Sequence, residues 1–109
     1  MASNNKQYNL YRIVNTNPGK KQNKKYFVVS SVKDEDKLRR IIRGMATSST
    51  AKGGIKSVAN DMKSSGKEYK DNFTVSTIIK GTTKERATEL RNKLKAKANP
   101  AKVYNEPRS

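Results

Sequence analysis

Apolar side chains recur along this chain with two different periods, and the switches between them mark the elements. Residues 8–14 read Tyr-Asn-Leu-Tyr-Arg-Ile-Val, which puts apolar or aromatic groups on both faces of an extended segment and predicts a first strand. Residues 25–32, Lys-Tyr-Phe-Val-Val-Ser-Ser-Val, predict a second. Between them, residues 15–24 carry Asn17-Pro18-Gly19 and several lysines, turn chemistry that predicts a hairpin with a long basic tip. The period then becomes helical. Asp34, Glu35 and Asp36 stand where a helix N-terminus favours carboxylates, and Leu38, Ile41, Ile42 and Met45 follow at helical spacing. At about 100° per residue the apolar stripe centres on Leu38 and Met45, while Arg39, Arg40 and Arg43 gather on the flank and back, with Asp36 able to pair with Arg40.

Residues 46–54 have no apolar period and predict a flexible loop. Ile55, Val58, Ala59 and Met62 restart the helical spacing, and Gly66 is placed to stop it. Residues 73–80 alternate, with Phe73, Val75, Thr77 and Ile79 on one face of a third strand. Thr82 with Glu85 matches a capping box opening a last helix through Ala87, Leu90, Leu94 and Ala98, and Asn99-Pro100 closes it. The predicted fold is α/β: a small three-stranded sheet flanked by three helices in the order β-β-α-α-β-α, covered on both sides because the first two strands are apolar on both faces. The predicted organisation is an N-terminal arm at 1–7, a single domain at 8–98 and a basic C-terminal tail at 99–109.

Charge narrows the function. Of 109 residues, 25 are Lys or Arg and 9 are Asp or Glu, a formal net charge of +16. A fold that tolerates such self-repulsion is expected to meet a polyanion. With 32% hydrophobic residues the core is expected to be thin. The absence of Cys and His excludes thiol chemistry, disulfides, Cys/His zinc sites and imidazole bases. No apolar run is long enough for a membrane span and residues 1–7 lack a signal core, so the expected location is cytoplasmic, or the host cytoplasm or virion if the source is viral.

The basic residues cluster. Lys20, Lys21, Lys24 and Lys25 lie at the predicted hairpin, no acid precedes Asp34, and Arg91, Lys93, Lys95, Lys97 and Lys102 form a second acid-free run. Together with Arg39, Arg40 and Arg43 they are the candidate polyanion-binding residues, suited to tracking phosphates without reading sequence. Tyr8, Tyr11, Tyr26 and Phe27 would stack on bases if exposed and pack in the core if not. Gly53-Gly54 reads either as a flexible joint or as a helix start able to hold a phosphate. No nucleophile triad, phosphate loop or dinucleotide fingerprint is present.

Asn9-Leu10-Tyr11 running into Arg12-Ile13-Val14-Asn15, then Tyr26-Phe27-Val28, an arginine at Arg39 or Arg40, and a closing Val103-Tyr104-Asn105 together resemble the GIY-YIG nuclease domain over residues 8–105. That resemblance implies the same element order and makes Tyr11, Tyr26, Arg39 and Glu89 the candidate catalytic residues. The chain departs from the family where the chemistry lies. Asn9 and Val28 replace the motif glycines, which let backbone and substrate approach closely. Arg43 or an apolar neighbour stands where a His or Tyr follows the arginine. Leu90 aligns with the family's metal-binding Glu, leaving Glu89 toward solvent and able to pair with Lys93.

The expectation is therefore a non-enzymatic, nucleic-acid-binding module resembling a catalytically degenerate GIY-YIG domain, with no metal, cofactor or membrane partner. The alternative is a small structural protein of a phage virion, gripping an acidic shell or packaged genome through basic arms. A metal-dependent nuclease is the third reading.

Overall fold

The computed structural model of the chain describes residues 7–16, 23–50, 53–98 and 103–104. β1 (Tyr8–Asn15) and β2 (Lys25–Ser30) form an antiparallel hairpin in unbroken register from Asn9 opposite Ser30 to Val14 opposite Lys25. β3 (Phe73–Thr82) pairs antiparallel with the other edge of β1, so the sheet order is β2-β1-β3. The helices are α1 (Glu35–Gly44), α2 (Gly53–Ser64), the single-turn α3 (Tyr69–Asn72) and α4 (Lys84–Lys97). The α/β class and the three strands agree with the sequence reading. The helix count is four rather than three, because α3 is one turn held by the burial of Tyr69 and has no length over which a period shows.

The sheet is covered on both faces. On one, Tyr11, Ile13, Tyr26, Phe73 and Val75 pack against Leu38 and Ile42 of α1, Val58, Ala59 and Met62 of α2, and Tyr69. On the other, Leu10 and Phe27 pack against Ala87 of α4, with Val29, Ile79, Leu90 and Leu94 around them. Each fully buried large side chain contributes about 1.5–3 kcal/mol relative to exposure, so the larger first cluster carries most of the stability.

Several local expectations shift for identifiable reasons. Ile79 was expected on the face of Phe73, Val75 and Thr77, yet it packs on the α4 face. Tyr11 pairs with Thr77 and Leu10 with Ile79, leaving Ile78 as an inserted residue; this bulge breaks the alternation that sequence counting assumes. The last helix is capped by Thr83, whose hydroxyl accepts from Arg86 N at 3.1 Å, rather than by Thr82, which is still paired with Tyr8 in the sheet. Asp34 caps α1 as expected, accepting from Asp36 N at 2.9 Å. Asp36, however, bonds Arg39 instead of Arg40.

Gly53 and Gly54 open α2. Gly53 enters α2 with φ +75°, and a Cβ on Gly54 would lie 2.7 Å from the Tyr26 ring and 3.2 Å from the Tyr104 carbonyl oxygen. Tyr104 itself is buried. Its N–H donates to Lys25 O at 2.8 Å, and its hydroxyl accepts from Asn15 Nδ2 at 2.9 Å and donates to Asp61 Oδ2 at 2.8 Å. Burial pushes the phenol's pKa well above its ordinary value; the Asn15 hydrogen bond opposes this and Asp61 reinforces it. Val103, bridged to Lys25, is buried as well, so the domain expected over 8–98 includes these two residues of the span read as a tail. The rest of that span, and residues 1–6, lie outside the described residues.

Two outcomes follow for stability, both read by urea denaturation. Gly54→Ala is expected to destabilise by about 1–3 kcal/mol through overpacking, despite alanine's better helix propensity. Tyr104→Phe leaves the buried Asn15 amide short of an acceptor and is expected to cost about 1–3 kcal/mol.

Candidate nucleic-acid interface

The four candidate catalytic residues do not share a site. Tyr11 is fully buried; its hydroxyl donates to Val32 O and accepts from Asn9 Nδ2 at 2.9 Å. Tyr26 is buried beneath α2. Arg39 donates from Nε to Phe73 O at 3.0 Å and pairs with Asp36. All three lie on the α1–α2 side of the sheet, whereas Glu89 is exposed on α4, across it. Among the described residues no group of three or more Asp or Glu is placed to hold a metal ion. The aromatic candidates Tyr11, Tyr26 and Phe27 are buried, the packed alternative of the two their sequence left open; Tyr8 is half-buried.

The candidate polyanion-binding residues divide into two groups. Some are absorbed by the fold. Arg39 ties α1 to β3 as above, and the Arg43 guanidinium lies 4.6 Å from the Tyr69 ring centroid, a cation–π contact. Lys24 Nζ lies 5.5 Å from the centroid of Tyr104. Arg40 is exposed on α1, so Arg39, Arg40 and Arg43 do not act as one free basic face. Lys20, Lys21 and Lys102 lie outside the described residues. Lys56, which the sequence reading passed over, is absorbed too: its ammonium donates to the carbonyls of Met45, Ala46 and Ser48 at 3.3, 2.9 and 2.8 Å, satisfying the turn after α1.

The second group borders the α4 face of the sheet. There α4 covers Leu10 and Phe27 but leaves the far ends of β1 and β2 open, and a groove of about 400 Å³ remains. Phe27, Ile78, Leu94 and Ala98 make it apolar, and Arg12, Lys25 and Lys97 complete its lining. Lys93 and Lys97 are exposed on the outer turns of α4, and Arg91 and Lys95 are partly so. Position explains the arrangement. Arg12 sits between Leu10 and Val14 on this face of β1, opposite Phe27, and it is exposed because α4 does not reach it. Ile78 alternates with Thr77 and so faces this side as well, where it is exposed.

Arg12 was read only as part of a motif. Its signal was present all the same: it is the one charge in the strand, at a position that must either pair or reach solvent. Lys97 is also near the negative end of the α4 dipole, a structural role amounting to about 0.3–1 kcal/mol that leaves its ammonium accessible.

Compared with known proteins, the chain matches no family model, no curated protein and no solved structure.

The division of the arginines is testable by thermal unfolding monitored by circular dichroism. Arg39→Ala, which strips the Phe73 carbonyl of its partner, is expected to cost about 1–3 kcal/mol. Arg40→Ala is expected to stay within about 0.5 kcal/mol of the parent.

Proposed function

We propose that the chain is a non-enzymatic nucleic-acid-binding module that holds phosphates along the α4 face of its sheet, resembling a GIY-YIG domain whose catalytic positions have been given over to packing. The observation that carries this reading is the placement of acids. β1, β2, β3 and the second half of α4 contain no Asp or Glu, and these four segments build the groove. Asp34, Glu35, Asp36, Asp61 and Asp71 belong to the helical segments on the opposite side, while Glu85 and Glu89 occupy the first half of α4. Cations spread evenly among acids would serve solubility; the cations of this groove have no acid in the segments that build it, which supports a surface for a polyanion.

The roles of the motif residues support the degenerate character. Asn9 bonds Tyr11, Val32 and Gly81, Val28 packs against the core, and Tyr11 and Tyr26 are buried.

Binding to labelled DNA and RNA measured across salt concentrations is expected to weaken with a log-log slope of roughly −2 to −4, each engaged phosphate adding about −0.7 to −0.9. Replacing Arg12, Lys25 or Lys97 with Ala is expected to flatten the slope by about one phosphate's share. Salt-independent binding, or tighter association with an acidic protein than with nucleic acid, would move the reading to a virion structural protein. Plasmid nicking with Mg²⁺ that is lost in Glu89→Ala would return it to a nuclease.

A further inference from the structure

Resting on that reading, we infer that the groove selects single-stranded over duplex nucleic acid by seating one unstacked base on its apolar floor while the flanking phosphates meet Arg12, Lys25 and Lys97. The ligand must satisfy two features at once. The lining is cationic at Arg12, Lys25 and Lys97, and apolar at Phe27, Ile78, Leu94 and Ala98, within a volume of about 400 Å³. Pockets that hold small organic groups span about 300–1,000 Å³, so the space suits a base, not a phosphate alone.

A duplex presents phosphates on a convex surface with its bases stacked inside, and it would leave the apolar floor empty. A single strand carries both an anionic backbone and free π-faces, the combination that aromatic and aliphatic platforms beside cations recognise. The Arg12 guanidinium adds a planar cation able to lie over a base.

Ile78 makes the case specific. Of the large hydrophobic side chains in the described residues, Ile41 and Ile78 are the exposed ones, at 39% and 37%. Ile41 lies on α1, across the sheet. Ile78 lies in the groove, beside a one-residue bulge in β3 that turns the next residue, Ile79, to the same face.

The test measures fluorescence anisotropy of the full chain with a labelled single strand about 12 nucleotides long, with its duplex, and with the same strand carrying abasic sites at its centre. Tighter binding to the single strand than to the duplex by about tenfold, and a similar loss on removing the bases, is the expected result. Ile78→Asp is expected to lose that preference, and Ile41→Asp to keep it. Because the abasic strand needs no variant, the outcome does not depend on Ile78→Asp folding. Equal binding to single strand, duplex and abasic strand would overturn the inference while leaving phosphate binding intact. Binding to none of them would overturn both.

Discussion

The structure depends on the burial of β1 from both sides. Leu10, Tyr11 and Ile13 are each 0% exposed, and both edges of the strand are hydrogen-bonded to neighbours. No other element is enclosed in this way, so the helices take their places relative to it. Burial then imposes a condition at the two ends of the strand, where Asn9 and Asn15 are both enclosed. An unsatisfied buried amide costs about 1–3 kcal/mol, and each asparagine side chain is hydrogen-bonded. Asn9 reaches Tyr11, Val32 and Gly81, tying β1 to the bulged end of β3 and to the entry of α1. Asn15 meets Tyr104, drawing residues 103–104 onto the domain.

The same strand divides the molecule electrically. Carboxylates that cap and pair helices need helix termini and cationic partners, and both abound on the α1–α2 side. On the α4 side the strands and the second half of the helix carry no acid, and Glu85 and Glu89 are confined to the helix's first half. Repulsion among the cations of this side opposes folding, and two features limit it: several of the chain's other cations are turned to internal work, as at Arg39, Arg43 and Lys56, and those around the groove reach solvent. A bound polyanion would relieve the remainder.

Much of the frame was legible in advance. Period-two and period-3.6 patterns placed the three strands and the three longer helices, since burial on a sheet or helix face imposes those spacings directly. Asp34 as a cap and Gly66 with φ +63° as a helix stop were legible too, because both act through local backbone geometry. The candidate site was less so. Tyr11, Tyr26 and Arg39 were picked out by short motifs, which do not register that a Tyr hydroxyl ends on a main-chain carbonyl or an Arg on Phe73. Lys25 and Lys97 were found by charge alone, without the floor between them.

By itself, then, the sequence determined the α/β class, the three strands and the three longer helices, the absence of Cys and His, and an acid-poor chain of net charge +16. These are properties of composition and of near neighbours. Only the tertiary structure decided which cations remain accessible, that Gly54 must be small beneath Tyr26 and Tyr104, and that a single inserted residue turns Ile79 to the α4 face beside Ile78. Each of these depends on groups far apart in the chain meeting across the sheet, and register and packing, rather than local pattern, set those meetings.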